Sequence, residues 1–410
     1  MTIGGIAVPG TFGVPGSERL PVGGLLALAM TGFIAILTET VPAGLLPQIA
    51  AGLQVSNALA GQLVTLYAAG SLLAAIPLTI ATQGWRRRPV LLSSIVGLLA
   101  FNTITAVSTD YALTLAARFL AGVAAGLAWG IIAGYARRLV PDRLQGRALA
   151  LAMIGIPIAL SLGVPVGAFV GNLLDWRYVF AIISALTLSL AAWVFLAMPD
   201  VPGQGADRRM SIRRVFLTPG IRPVLFVIAA WMLAHNILYT YVAPFLTRAG
   251  LGDRVDLVLL VFGLAALIGI WITGMLVDRR LRALVIASLI GFALVSMALV
   301  VGGRLPLVIY PAVAVWGLTF GGAGTQLGTA SADAAGDGVD VAQAMVTTVW
   351  NLAIAGGGIV GGFLLTRFGA GSFPWAVLAA VLMALLATWR ADQRGFPPGA
   401  RRSSAVSLAE

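Results

Sequence analysis

Long apolar runs alternate with short polar breaks along almost the whole chain. Each run has about 20 residues, the length that a helix needs to cross the hydrocarbon core of a bilayer. The runs lack the alternation of polar and apolar positions typical of a membrane β-barrel. We therefore predict an all-α membrane protein with twelve transmembrane helices. The predicted spans cover about 22–46, 58–81, 89–108, 111–136, 147–171, 177–198, 222–246, 255–276, 283–302, 305–330, 341–366 and 371–390.

The composition excludes several other classes of protein. Hydrophobic residues make up 59 % and charged residues only 10 % of the 410 residues, whereas a soluble protein needs roughly a quarter of its residues charged. With no cysteine and one histidine, neither a disulfide scaffold nor a metal cluster is expected. The Gly-x-Gly strings lie inside apolar runs, which disfavours a nucleotide loop. We predict no catalytic residue, no metal and no cofactor, and therefore not an enzyme.

The positive charge indicates the orientation of the chain. The net charge is +11, every basic residue is arginine, and the arginines lie mainly in short loops between spans. This favours contact with an anionic membrane surface over binding of nucleic acid. Twenty arginines fall on one side of the predicted membrane and five on the other. The positive-inside rule then places both termini in the cytoplasm, with the protein in a bacterial inner membrane.

The longest polar break, about 199–221, divides the spans into six and six. Landmarks in one half have counterparts in the other: Arg86 with Arg279, and Pro42 with Pro244. Each pair is separated by nearly half of the 410 residues. An internal repeat of this kind predicts two pseudo-symmetric six-helix bundles with a substrate site between them. The predicted units are a disordered cytoplasmic tail (1–20), an N-terminal bundle (21–198), a central cytoplasmic loop (199–221), a C-terminal bundle (222–391) and a cytoplasmic tail (392–410).

Two charged residues are predicted to lie well inside spans. A carboxylate in a bilayer is costly unless it faces a cavity or has a partner, so Glu39 is a candidate for proton coupling or cation recognition. It could instead be a structural carboxylate tied to Arg118, or to Thr38 and Thr40. Arg118 lies at a similar depth, about 10 Å from the same face. It is either a partner in proton coupling or a donor to backbone carbonyls where helices meet.

Glycine and proline recur at short intervals in spans 4 and 5. Span 4 has glycine at four-residue steps from Gly122 and Gly126, which indicates a stripe where another helix packs closely. Span 5 combines Gly163, Pro165 and Gly167, which predicts close packing and a bend. These contacts could also change during transport.

Polar and aromatic residues in other spans are candidates to line a cavity. His235 lies near the middle of span 7, where it could titrate, bind substrate or simply make a hydrogen bond in a packed interior. Tryptophan far from the ends of a span is also unusual. The complete set of cavity candidates is Thr38, Asn102, Trp129, His235, Asn236, Tyr239, Trp350 and Asn351.

Five segments together resemble the major facilitator superfamily. They are 38–47 in span 1, 118–126 in span 4, 163–167 in span 5, 235–246 in span 7, and 274–282 after span 8. The resemblance covers about 20–395. It is specific to the twelve-span drug:proton antiporter branch, and more narrowly to the bacterial sugar-efflux and chloramphenicol-resistance group.

The resemblance also implies a cytoplasmic gate. In that family an acidic residue in the loop after span 2 latches the cytoplasmic side. Here the segment 79–88 keeps Arg86 and Arg88 but has no acid, whereas the second-half copy has Asp278 and Arg279. These four residues are the predicted gate. Its latch either lies at Asp278 or is weaker than in other members of the family.

The function implied is a monomeric, proton-coupled exporter of a drug-like compound or a sugar, working by alternating access. Its partners would be the small-molecule substrate, protons and the lipid bilayer. Two alternatives remain open: a nutrient uniporter or importer of the same fold, and a membrane sensor that has lost transport.

Overall fold

The computed structural model describes residues 20–82, 84–141, 144–203, 212–335 and 339–399, and these ranges contain no β-strand. Most of the two predicted tails, and part of the central loop, lie outside the described residues. In the first half, span 1 is Val22–Gly44, followed by the short helix Leu46–Gly52; span 2 is Asn57–Ala81; span 3 is Arg87–Val107; span 4 is Tyr111–Arg138; span 5 runs through Gln145–Met153, Gly155–Ile158, the π-helical turn Ala159–Gly163 and Val164–Leu173; and span 6 is Trp176–Ala197.

The second half also contains six spans. Its bounds are the short helix Ile212–Phe216, span 7 in two parts (Ile221–Thr240 and Val242–Thr247), spans 8 and 9 within Val255–Gly302, span 10 in two parts (Pro306–Gly321 and Ala323–Ala335), span 11 (Val339–Phe368) and span 12 (Phe373–Arg390), with single 3₁₀ turns at Gly252–Arg254 and Ala370–Ser372.

Spans 8 and 9 are two helices that meet at a kink. Eleven helices in the described part of the chain are long and apolar enough to cross a membrane, and Val255–Gly302, whose 48 residues run across the kink, is one of them. Arg280 has non-helical dihedral angles (φ −140°, ψ 37°) and marks the junction. Because about 20 residues are enough to cross a hydrocarbon core, the segment on each side of Arg280 is one span. The described part of the chain therefore has twelve spans, as predicted.

Spans 1 and 7 are both broken near the same end of the bundle. Span 1 stops before Leu45 (φ −114°, ψ 12°), and span 7 stops before Tyr241 (φ −112°, ψ 29°). A short proline-containing helix follows each break. The structural counterpart of Pro244 is therefore Pro47 and not Pro42, which precedes the break. The repeat is retained, but that pairing of prolines was wrong.

Several glycines bring helix backbones together. A methyl group added to Gly122 of span 4 would overlap the carbonyl oxygen of Tyr67 in span 2, and one added to Gly126 would lie 2.7 Å from the carbonyl oxygen of Ser71. Span 5 approaches span 1 in the same way, because a methyl group on Gly155 would overlap the carbonyl of Ala29. At these glycines the helices therefore pack through close backbone contact and not through side chains.

The two ends of the bundle are named here by their loops. The arginine-poor end is the one at which spans 1, 3, 5, 7, 9 and 11 finish, and the arginine-rich end is the opposite one. At the arginine-rich end the chain beyond span 12 packs back onto its own half. Phe396 is fully buried, and its carbonyl accepts a 2.7 Å hydrogen bond from Arg282. The predicted tail 392–410 therefore begins as packed structure.

Candidate functional site

Glu39 is buried inside span 1, and no residue in the described part of the chain forms a hydrogen bond with its side chain. Its side chain lies five residues before the helix ends at Gly44, about 8 Å along the axis. The residue is only 6 % exposed. Its Oε1 atom is buried and accepts no hydrogen bond within the described ranges. Buried polar groups are usually satisfied, so this oxygen needs an explanation.

Arg118 reaches across from span 4 to the backbone beside Glu39. It is fully buried, and its Nη2 atom donates a 2.7 Å hydrogen bond to the carbonyl of Thr38. Its Nε atom donates a 3.3 Å bond to the carbonyl of Leu63 in span 2. The guanidinium carbon lies 4.8 Å from the centre of the Tyr67 ring. Arg118 therefore fixes spans 1, 2 and 4 to one another, which is the second of the two roles that the sequence left open.

The charges of Glu39 and Arg118 are close enough to interact, but no ion pair joins them among the described residues. The threonines do not hold Glu39 either. The Oγ1 atom of Thr38 accepts a 2.9 Å bond from Asn102, and Thr40 donates to the carbonyl of Ile36. The structural tie considered from the sequence is thus not formed in this state.

Two further polar atoms of the first half are buried and have no hydrogen-bond partner within the described ranges. They are Nη1 of Arg118 and Oδ1 of Asn102, a donor and an acceptor contributed by spans 4 and 3. Both residues bond Thr38, the neighbour of Glu39 in the chain. With Oε1 of Glu39, they are three unpaired polar atoms on residues that are next to Thr38 in the chain or bonded to it. Such a set can be completed by a proton, by water or by polar groups of a bound molecule.

His235 lies in an aromatic cluster of the second half. Its ring stacks on Phe320, with centroids 3.5 Å apart, and on Tyr239 at 5.0 Å. Trp316 and Phe262 complete the cluster at 5.3 and 5.9 Å. The Nδ1 atom of His235 and the hydroxyl of Tyr239 are buried without partners within the described ranges. The cluster thus combines aromatic rings packed against one another with two polar atoms that no described group uses.

His235 and Glu39 occupy equivalent places in the repeat. Glu39 lies six residues before the break at Leu45, and His235 lies six residues before the break at Tyr241. Each is buried in the first span of its half. The two titratable residues that sequence analysis selected are therefore symmetry counterparts.

The other cavity candidates are more scattered. The amides of Asn236 and Asn351 donate to carbonyls one turn earlier on their own helices, those of Met232 and Thr347. Trp129 is half-buried and faces Gly32 of span 1. Trp350, also half-buried, packs beside Val64 and Ala68 of span 2 and thus contacts the other half.

A cleft of about 360 Å³ lies between spans 2 and 11, but it contains none of the predicted cavity residues. It is lined by Ala58, Leu59, Gln62, Ile359, Gly362, Phe363, Thr366 and Arg367. These residues lie at the arginine-poor end, beyond the depth of Glu39 and His235. The cleft is a surface feature of the seam between the halves and does not enclose the candidate site.

The predicted antiporter glycines line the contact between spans 5 and 1. A methyl group on Gly163 would lie 3.2 Å from side-chain atoms of Leu37 and Phe33, and one on Gly167 would lie 2.6 Å from Val41. Pro165 follows the π-helical turn Ala159–Gly163. The turn and the break at Ile154 interrupt span 5, in keeping with the predicted bend. A role for these residues in transport stays a prediction.

The loop after span 2 is fastened by an acid that sequence analysis did not select. The Nε atom of Arg86 lies 2.5 Å from Oδ2 of Asp200, just after span 6. The other oxygen of Asp200 accepts a 3.2 Å bond from the backbone N–H of Arg88, whose side chain donates to the carbonyl of Met198. Asp200 is thus the acidic partner that segment 79–88 lacks, and it acts within the first half.

In the second half the comparable contact is made by Arg282, and not by Arg279, the predicted counterpart of Arg86. Arg282 donates to the carbonyls of Thr388 and Trp389 at the end of span 12. The predicted gate residues Asp278 and Arg279 are exposed beside it. In both halves, therefore, an arginine near the loop after the second span holds the end of the sixth. Whether Arg86, Arg88, Asp278 and Arg279 also gate the halves stays a prediction.

We expect Asp200→Asn to destabilise the protein modestly. Arg86 is 66 % exposed in its pair with Asp200, so most of the ion-pair energy is screened. The carboxylate also accepts from a backbone N–H, and the total loss should be about 1 kcal/mol in the free energy of unfolding. Thermal unfolding of the purified protein measures it. Asp392→Asn, an exposed acid at the same end, should leave the midpoint unchanged; an equal shift would contradict the assignment.

Twelve spans in two repeated halves, with buried titratable residues at equivalent positions, define a secondary membrane transporter. Residues 28–340, more than half of the chain, match the model of the Major Facilitator Superfamily. The chain belongs to this superfamily, which confirms the predicted family and fold. It is a multi-pass membrane transporter of small molecules and not an enzyme.

Two curated relatives and one solved structure illustrate the similarity. The purine ribonucleoside efflux pump NepI of Escherichia coli O6:K15:H31 is 29 % identical over 354 residues, covering 86 % of this chain and 89 % of the relative. A probable sugar efflux transporter of Helicobacter pylori is 26 % identical, covering 88 % and 93 %. A bacterial homologue of the human lysosomal transporter Spinster, solved inward-facing and unoccupied, has a TM-score of 0.68 at 15 % identity, covering 95 % and 100 %. This last likeness concerns the fold alone.

Sequence analysis missed three residues that the structure makes prominent. Asp200 was overlooked because its partner lies in a loop more than 100 residues away. Tyr67, whose hydroxyl donates a 2.8 Å bond to the carbonyl of Ala35, gives no signal in an apolar run. Tyr241 was not selected, although it contacts the opposite half.

Proposed function

We propose that the protein is a proton-coupled exporter of small molecules, with Glu39 as the coupling carboxyl. The observation that carries this proposal is the buried Oε1 atom of Glu39, which no described group satisfies. A buried carboxyl without a partner costs less when it is protonated than when it is ionised. Exchange between these two forms is therefore the natural consequence of a change in access to water.

The proposed cycle needs no covalent intermediate. When the halves open outwards, Glu39 takes up a proton from the more acidic side. When they open inwards, entering cargo favours loss of that proton, because polar groups of the cargo can complete the unpaired atoms of Arg118 and Asn102. Differential affinity of proton and cargo for the two states is enough to link their movements.

Arg118 is the residue that we propose to transmit the change. Its guanidinium bonds the backbone of span 1 at Thr38, next to Glu39. Its charge favours the ionised carboxylate without forming the ion pair that would trap it. A movement of span 1 relative to span 4 would therefore alter both the backbone contact and the cost of ionising Glu39.

The cargo that we propose is a compound with a planar ring or a sugar. The aromatic cluster around His235 offers ring faces, and the unpaired hydroxyl of Tyr239 offers a hydrogen bond. The names of two relatives point the same way, one to purine ribonucleosides and the other to sugars. Because this half of the site is uncharged, neutral cargo is favoured over anions.

Orientation and assembly follow from the same proposal. The arginine-rich end would face the cytoplasm of a bacterial inner membrane, with both termini there. Both halves of the candidate site belong to one chain, so a monomer has every residue that the cycle uses. Antiport of protons would also make the protein a means of resistance to toxic cargo.

The deciding experiment uses liposomes that contain the purified protein. An imposed pH gradient, acidic on the side of the arginine-poor end, should drive accumulation of radiolabelled purine ribonucleoside or sugar on that same side. An ionophore that abolishes the gradient should stop it. Transport indifferent to the gradient would support a uniporter instead, and absence of transport for every cargo in a broad panel would support a sensor.

A further inference from the structure

We infer that Tyr241 and Gln62 form a polar clamp that holds the two halves together at the arginine-poor end and must open in each transport cycle. This outer clamp consists of Tyr241 and Gly358 from the second half, and Ala58 and Gln62 from the first. It rests on the proposed alternating-access cycle but not on proton coupling. On the proposed orientation it closes the outer side of the transporter.

The clamp is built around one tyrosine hydroxyl. Tyr241 is fully buried, and its hydroxyl donates a 2.7 Å bond to the carbonyl of Gly358 in span 11. The carbonyl of Ala58 in span 2 lies 3.4 Å from the same hydroxyl. Gln62, one turn along span 2, donates to the tyrosine oxygen and to the carbonyl of Gly358, both at 3.3 Å. The Gln62 amide nitrogen also lies 3.2 Å from the carbonyl of Ala58 in its own helix. The bonds from Gln62 to Tyr241 and Gly358 are the ones that join the halves.

Glycines make room for the ring. A methyl group on Gly61 of span 2 would overlap the Tyr241 ring and its hydroxyl. Methyl groups on Gly361 and Gly362 of span 11 would come within 2.6 and 2.8 Å of it. The tyrosine thus fills a slot that spans 2 and 11 form together. Because one wall belongs to each half, separation of the halves at this end must empty the slot.

The chain geometry places the clamp where movement can reach it. Tyr241 is the residue at which span 7 breaks, and it lies six residues beyond His235 in the aromatic cluster. A shift of span 7 around bound cargo would therefore displace Tyr241, which lies less than two turns from His235. The equivalent break at Leu45 has no hydroxyl, so the clamp occurs on one of the two symmetric seams.

The other seam between the halves is sealed differently. Gly44 of span 1 packs toward Leu259 of span 8, and Gly263 approaches the backbone of Ser161 in span 5. These contacts are apolar or backbone to backbone. The clamp seam instead borders the 360 Å³ cleft that Gln62 and Gly362 help to line. Water in that cleft can replace the hydrogen bonds when the seam opens, which keeps the opening reversible.

The test measures access to a single cysteine beneath the clamp. The chain contains no cysteine, so Thr65→Cys provides one reporter without further changes. Thr65 is 5 % exposed and abuts Gly358 across the seam. The rate of its reaction with a hydrophilic maleimide is measured on purified protein, without cargo or gradient, so that a failure of proton coupling cannot affect the outcome.

In the Thr65→Cys background, Tyr241→Phe should raise the labelling rate about two- to ten-fold, the effect of losing one net hydrogen bond on an opening equilibrium. Gln62→Leu should also raise the labelling rate, and it provides the test if Tyr241→Phe does not fold. Tyr111→Phe is the matched control. The Tyr111 hydroxyl donates a 2.9 Å bond to Leu59 of span 2, but it joins spans of one half.

Each result of the labelling experiment either supports the clamp or overturns it. Faster labelling in Tyr241→Phe or Gln62→Leu with no change in Tyr111→Phe supports the clamp. Labelling at the parent rate in both clamp variants overturns it. Equal acceleration by Tyr111→Phe would also overturn it, since loosening of span 2 alone would then explain the result.

Discussion

Replacement of Glu39 by glutamine is expected to abolish uphill transport while leaving the protein folded. Glutamine has nearly the same shape but cannot exchange a proton. With one proton exchanged for each neutral cargo molecule, a gradient of one pH unit can hold about a tenfold cargo gradient. Glu39→Gln should hold none, so that the cargo concentrations on the two sides become equal. Radiolabelled cargo in liposomes with an imposed gradient measures this difference.

Two controls show that the loss is one of coupling. Downhill exchange of cargo, measured without a gradient, should persist in Glu39→Gln and should no longer depend on pH. Asp253→Asn, which alters an exposed acid near the start of span 8, should behave as the parent protein. If Glu39→Gln still accumulates cargo in response to pH, the proton is carried elsewhere and the proposed role of Glu39 is wrong.

The second large effect is expected at Gly122, where a methyl group has no space. Gly122→Ala would drive a side chain into the backbone carbonyl of Tyr67. Because neither backbone can move without displacing a whole helix, we expect the free energy of unfolding to fall by about 3 kcal/mol. The yield of folded protein should fall with it. Thermal unfolding in detergent and the fraction of monodisperse protein measure the change.

Gly134 provides a matched comparison in the same helix. It is exposed, and a methyl group added there would meet no atom within 4 Å. Gly134→Ala should therefore stabilise the helix by about 0.5 kcal/mol, because alanine loses less backbone entropy than glycine. If the two variants have equal stability, the close approach of spans 2 and 4 is not what Gly122 provides.

Most of the fold was predictable from the sequence because membrane spans obey a simple length rule. Apolar runs located every span to within about five residues, and the positions of glycine and proline predicted the interrupted course of span 5. The polar segment predicted between spans 8 and 9 contains Arg280, the residue at which the two helices meet in a kink. The pairing of Pro42 with Pro244 was wrong because a motif shared by two segments does not fix their position relative to a helix break.

The candidate site was predictable in its residues but not in its contacts. Glu39 and His235 were selected because titratable groups are rare in spans, and both are buried at equivalent positions. Sequence could not show that Arg118 bonds the backbone at Thr38 and forms no ion pair with the carboxylate. That choice depends on side-chain directions on three helices. Gln62 and Tyr241 were beyond sequence analysis for a related reason, since the partners of both are mainly carbonyls, which every residue has.

The kink between spans 8 and 9 has a mechanical consequence. Only one residue, Arg280, departs from helical geometry between these two spans. A connection this short leaves the two helices little room to move apart at the arginine-rich end, so we expect a rotation of span 8 to displace span 9 as well. Inserting a few glycines after Arg280 would loosen the connection, and a lower turnover number would show that transport depends on it.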